Sequence, residues 1–95
     1  MTIFTKKDGK RTVGDIKMYA LSTCGWCKKT KEFLNSHDIA YSYVDVDMVP
    51  ENEIEDVVAE QRGYNPSGSF PTIVVNGEKV IIGFDQEELE KLAGK

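Results

Sequence analysis

The chain has 95 residues, 40% hydrophobic and 29% charged, enough for one domain with a real core, burying about 60–65% of the surface its unfolded chain exposes. Twelve Lys and Arg against sixteen Asp and Glu give a net charge of −4, which argues against non-specific binding to nucleic acid or to an anionic membrane. No stretch approaches the roughly 20 apolar residues of a membrane span, and the start, "MTIFTKKDGKRTVG", has no apolar run of signal-peptide length. A cytoplasmic protein is expected, and structural disulfides are rare there.

Residues 1–14 read as an N-terminal extension. "TIFT" and "RTV" flank Asp8-Gly9 and could form an extra hairpin or a free arm; an ordered extra strand is the favoured reading. A domain of residues 15–95 follows. "DIKMYAL", residues 15–21, gathers Ile16, Met18, Tyr19, Ala20 and Leu21 without helical spacing, as a buried strand does. "KKTKEFLNSHD" sets Thr30, Phe33 and Leu34 on one face and lysines on the other, a helix that begins close to Cys24 and fails near Asn35 to Asp38. "AYSYVDVD", residues 40–47, alternates as a second strand. "PENEIEDVVAEQRGYNP" places Ile54, Val57, Val58 and Gln61 at i, i+3, i+4 and i+7. Pro50 suits that helix's first turn, and Gly63 with Pro66 ends it. "PTIVV" and "EKVIIG" flank Asn76-Gly77, a strong hairpin signal. "DQEELEKLAGK" is a last helix that Asp85 can cap, with Glu88 in capping-box position.

The order is β-α-β-α-β-β-α. A strand–helix–strand unit gives two parallel strands by a right-handed crossover. The hairpin adds two more strands, and helices cover both faces.

Both cysteines lie in "TCGWCKK", residues 23–29. As a metal site, Cys24 and Cys27 supply two ligands where structural zinc takes four. The one histidine, His37, sits at the far end of the helix and is expected at its surface. As a staple, the loop they close is too short to constrain much chain entropy. Redox chemistry fits better. A sulfur at a strand-to-helix junction faces unpaired backbone N–H groups, which favour a thiolate. The ordinary thiol value is near 8.5, and lowering it to about 7 takes roughly 2 kcal/mol. A helix terminus supplies about 0.3–2 kcal/mol, so a second donor one turn on is needed. Lys28 and Lys29 are expected to be solvated and to add little. Cys24 then attacks a substrate disulfide, and Cys27 resolves the mixed disulfide. In "GSFPT", Pro71 stands directly before a strand, where proline is tolerated; the Phe70–Pro71 bond could be cis or trans.

Residues 15–95 resemble the thioredoxin fold in its minimal form, and specifically the glutaredoxins. The matching residues are Thr23-Cys24-Gly25-Trp26-Cys27-Lys28, Ser69-Phe70-Pro71-Thr72 and Ile82-Gly83-Phe84. The resemblance implies thiol–disulfide oxidoreductase activity and a mixed sheet of order 2-1-3-4, with the strands numbered from residue 15. It implies a cis Pro71 beside the cysteines and a Phe70 backbone that pairs with a bound substrate or glutathione. It also turns Trp26 outward, where an aromatic can anchor a partner.

Departures from the family pattern bear on the electron source. Gly25-Trp26 replaces the usual Pro-Tyr. Leu21 stands where a Lys or Arg usually meets a glutathione carboxylate, and cannot make that pair. Gly83-Phe84 replaces Gly-Gly, so Phe84 would crowd glutathione, although Asp85 and Glu87 could still meet an α-amino group. Gln61 and Arg62 are either carboxylate contacts or solvated helix-end residues. Gly-Phe is similar to the NrdH-redoxins, which take electrons from thioredoxin reductase and serve ribonucleotide reductase. The favoured reading is a monomeric dithiol carrier that reduces disulfide-containing client proteins, ribonucleotide reductase being one candidate. It needs no cofactor beyond the Cys24–Cys27 disulfide, and a thioredoxin-reductase-like enzyme reduces it. The alternatives are a glutathione-dependent glutaredoxin, and a binding module in which two chains share a [2Fe–2S] cluster through Cys24 and glutathione, which Gly25 permits.

Overall fold

The computed structural model describes residues 4–94. In chain order these form β1 (Thr5–Lys7), β2 (Ile16–Ala20), α1 (Gly25–Ser36), β3 (Tyr41–Asp45), α2 (Glu51–Tyr64), β4 (Thr72–Val75), β5 (Lys79–Ile82) and α3 (Gln86–Leu92). One turn of 3-10 helix, Val46–Met48, cuts β3 short of the expected Asp47. Among the described residues, no helix is long and apolar enough to cross a membrane.

The sheet runs β1-β3-β2-β4-β5. Its inner four strands have the expected order, with β2 and β3 parallel and the other pairs antiparallel. The fifth strand is the N-terminal one. Thr5–Lys7 pairs antiparallel with Tyr41–Tyr43, so the sheet has five strands rather than four. The favoured reading of residues 1–14, an ordered extra strand, is what the structure shows; the alternative hairpin around Asp8-Gly9 does not form among the described residues, and residues 2 and 3 lie outside them. The outer edge of β3 offers a free row of N–H and C=O groups, and Thr5–Lys7 fills it. Residues 8–13 then run on to a single parallel bridge, Arg11 with Ile39.

Alternation on the central strands builds two cores. Ile16, Met18 and Ala20 of β2, with Ile73 and Val75 of β4, face Cys27 and Leu34 of α1 and Leu89 beside Ala93 at the end of α3. Tyr19 and Val74 point the other way, against Val44, Val46 and Val57. Hence α1 and α3 cover one face and α2 the other. That is why β4 reads as an unbroken apolar run: all four of its residues are buried.

Local chemistry sets the ends. Asn76 (φ 55°) and Gly77 (φ 70°) take the left-handed backbone that the β4–β5 turn requires. Asp85 caps α3, its carboxylate accepting the Glu88 N–H at 3.2 Å. Glu88 does not complete a capping box; its carboxylate turns to Lys79 at 2.7 Å.

Candidate active site

Cys24 is the N-cap of α1. Its sulfur takes the place of the usual cap oxygen and accepts the Cys27 N–H at 3.1 Å. The Cys24 N–H donates to the Leu21 carbonyl at 3.1 Å, which closes the turn between strand and helix. Cys24 is half-buried. Cys27, one turn on, is 1% exposed and belongs to the core. Burial pushes the Cys27 thiol up to about 12, and its hydrogen bond to the Cys24 sulfur acts in the same direction; the Leu21 backbone and the Lys31 ammonium pull back against both. Lys31, not Lys28, is therefore the lysine that Cys27 feels. It is held at 3.0 Å from Asp45, with its ammonium 4.2 Å from the Tyr43 ring centre. Among the described residues, no group of three or more His, Cys, Asp or Glu could hold a metal ion.

The loop before Cys24 is fixed from the 3-10 turn that follows β3. Asp47 accepts both the Ser22 N–H, at 2.8 Å, and the Ser22 hydroxyl. These bonds hold the Asp47 carboxyl below its usual range. Thr23 and Lys28 are exposed, and the Lys28 N–H donates to the Cys24 carbonyl at 3.0 Å. Leu21 packs on the Tyr19 side of the sheet and brings no charge.

Tyr19 pairs with Thr72 across β2 and β4. The segments that continue from them, Leu21–Cys24 and Phe70–Pro71, therefore leave the sheet at the same end. The Phe70–Pro71 bond is cis, as the resemblance implied. Phe70 and Cys24 both pack on the core that contains Cys27. The Pro71 carbonyl accepts the Gly83 N–H at 2.9 Å, so that N–H faces inward. Gly83 itself has φ 75°, and nothing lies within 4 Å of where a Cβ would stand.

Trp26, Thr30, Phe33 and His37 recur along one stripe of α1. Trp26 is 57% exposed. Phe84 stacks on it with ring centres 5.9 Å apart and meets Phe33 edge-on at 6.4 Å. Lys29 is not merely solvated: its ammonium lies 5.3 Å from the Trp26 ring centre and 5.9 Å from that of Phe84. Gly25, Trp26 and Lys29 line a shallow, open hollow. His37 stacks on Phe33 at 4.2 Å, half-buried at the helix end.

Other candidates have different work. Asp85 lies exposed beyond Phe84, its carboxylate engaged as a cap. Arg62 is exposed, against the loop at Gly68. Gln61 is neither solvated nor available as a carboxylate contact. It is 1% exposed and donates to the Ser69 carbonyl at 2.9 Å and to the Thr72 hydroxyl at 3.0 Å. Asn65, Lys31 and the Ser22–Asp47 pair escape the sequence reading, and Thr72 entered it only as part of the Ser69–Thr72 match. One signal was present for Gln61: an amide on the apolar stripe with Ile54, Val57 and Val58.

The chain is similar to known proteins along most of its length. The glutaredoxin family model matches residues 2–80. The crystal structure of a glutaredoxin from Methanosarcina mazei superposes with a TM-score of 0.85 at 41% identity, covering 99% of this chain and 90% of that one. An uncharacterized glutaredoxin-like 8.6 kDa protein in the rubredoxin operon of Clostridium pasteurianum is 38% identical over 80 residues, 84% of this chain and 99% of its own length. The glutaredoxin-like protein NrdH of Lactococcus lactis subsp. cremoris is 28% identical over 78 residues, 82% of this chain and 99% of its own. A dithiol at a helix start, a cis-proline before β4 and a match of this extent agree: the chain belongs to the glutaredoxin family and carries NrdH-like features.

Proposed function

We propose that the protein is a cytoplasmic dithiol electron carrier that reduces protein disulfides. The observation that carries this reading is the division between its two sulfurs. Cys24 is reachable at the N-cap and accepts an N–H bond that steadies negative charge. Cys27 is buried, and its proton is held. The Cys24 thiolate attacks one sulfur of a substrate disulfide; a Cys24–substrate bond forms and the other substrate sulfur leaves as a thiolate. Cys27 then gives up its proton and attacks the Cys24 sulfur. The second substrate thiolate leaves, and the Cys24–Cys27 disulfide remains. Two electrons have passed to the substrate; its two thiolates are protonated by the proton that Cys27 gave up and by one from solvent.

Electrons return from a thioredoxin-reductase-type enzyme rather than from glutathione. Leu21 offers no charge to a glutathione carboxylate. Phe84, stacked with Trp26 and flanked by Lys29, puts a ring where a second glycine would leave the backbone bare. The exposed Trp26 ring suits a protein partner, since aromatic anchors dominate many interfaces.

A paired assay tests the electron source. The oxidised protein is offered NADPH with thioredoxin reductase, and separately glutathione with glutathione reductase and NADPH. Fast NADPH consumption is expected in the first mixture and little in the second. Robust turnover with glutathione alone contradicts the proposal.

A further inference from the structure

Two buried amides reach from the end of α2 into the loop that leads to β4. Gln61 and Asn65 are each 1% exposed, and Thr72 is fully buried. Besides the two Gln61 bonds, Asn65 Nδ2 donates to Thr72 Oγ1 at 3.0 Å, to Ser69 Oγ at 3.2 Å and to the Ser69 carbonyl at 3.3 Å. The Thr72 hydroxyl donates to the same carbonyl at 2.8 Å. Asn65 Oδ1 accepts the Ser67 hydroxyl at 2.7 Å and the Ser67 N–H at 3.2 Å.

An apolar side chain at position 61 would continue the stripe of Ile54, Val57 and Val58 and would cover the sheet equally well. Buried amides are costly unless their donors are met. Here the donors converge on the Ser69 carbonyl and on the hydroxyls of Ser69 and Thr72, on either side of Phe70–Pro71. With Pro71 also held by Gly83, the loop is fixed at Ser69, Pro71 and Thr72. Between them, the Phe70 backbone makes no hydrogen bond among the described residues.

We propose that Gln61, Asn65 and Thr72 are positioning residues for disulfide reduction: they fix the Ser69–Thr72 loop so that the free Phe70 backbone pairs with the chain of a substrate protein beside Cys24. The inference rests on the dithiol reading above. Backbone pairing is sensitive to placement, and none of the three side chains need touch substrate to set it.

The test uses pre-reduced protein and insulin as the disulfide substrate, with the reduction rate followed over rising insulin concentration. Alkylation of Cys24 by iodoacetamide, a small reagent that needs no docking, runs beside it. Thr72→Val keeps the side-chain shape and removes the hydroxyl, Gln61→Met keeps the length and removes the donors, and Thr72→Ser keeps the hydroxyl. In Thr72→Val and Gln61→Met the half-saturating insulin concentration is expected to rise about tenfold with the maximal rate retained. Alkylation should stay within about twofold of wild type, and Thr72→Ser should restore half-saturation. If Gln61→Met does not fold, the Thr72 pair carries the test. Unchanged half-saturation in a folded Thr72→Val, or alkylation falling in step with reduction, overturns the positioning role. A wild type that cannot reduce insulin overturns the dithiol reading instead.

Discussion

Cys24 and Cys27 stand one turn apart on α1, yet only the first is open to a partner. That difference orders the reaction and gives it a pH dependence. Resolution needs the Cys27 thiolate, and burial is the largest cause of that thiol's upward shift. Burial persists when Cys24 is tied up in a mixed disulfide. The group is protonated below its pKa, so its thiolate fraction grows about tenfold per pH unit there. Stopped-flow measurement of resolution should show a rate that climbs from about pH 7 to about pH 9 without levelling near the ordinary thiol value. A plateau reached by about pH 8 would contradict the held proton. The nucleophile was legible because cysteine spacing and a strand-to-helix junction are local features. Lys31 and Asp47 were not, since their work depends on partners across the sheet, Asp45 and Ser22. Gln61 was misplaced for a related reason: polarity suggests water, and only the packed loop reveals an inward amide.

At the scale of elements, the inner four strands and three helices follow from periodicity, caps and turn residues. Asn76-Gly77 and the Asp85 cap do what their local chemistry dictates. The extra N-terminal strand was the favoured reading of its segment, but its partner was not foreseen. Asp8-Gly9 looks like a hairpin turn, but the strand before it joins β3. Gly9 instead passes close to Asp38–Ala40, where an added Cβ would stand 2.6 Å from the Asp38 carbonyl oxygen and 2.7 Å from the Ala40 nitrogen. Both are backbone atoms, so the segment would have to shift. Gly9→Ala should therefore cost about 1–3 kcal/mol, read as a lower urea midpoint at unchanged slope. Equal midpoints would mean that the segment adapts freely. Beyond Gly9, Arg11 donates to the Ala93 carbonyl at 2.6 Å and the His37 carbonyl at 3.3 Å, joining the ends of α3 and α1.

For the whole molecule, the Cα radius of gyration is 12.4 Å, matching the roughly 12 Å expected of a compact chain this long. Residues 5–11 are part of the body, joined to it by the β1–β3 pairing and the Arg11–Ile39 bridge. Two cores on opposite faces of one sheet hold the Cys24 loop and the Phe70–Pro71 loop at the same end. The resemblance to the glutaredoxins anticipated that meeting; element order by itself gave only the parallel β2–β3 pair and the β4–β5 hairpin. What it leaves open is the α2 side, where buried amides rather than apolar contacts anchor the loop. The central claim is that Cys24 leads and Cys27 resolves. Its most direct test is the mass of each single-cysteine variant after incubation with a disulfide substrate. Cys27→Ser should carry a stable substrate adduct on Cys24, while Cys24→Ser should carry none. Equal adducts on both variants, or an adduct on Cys24→Ser alone, would contradict the account.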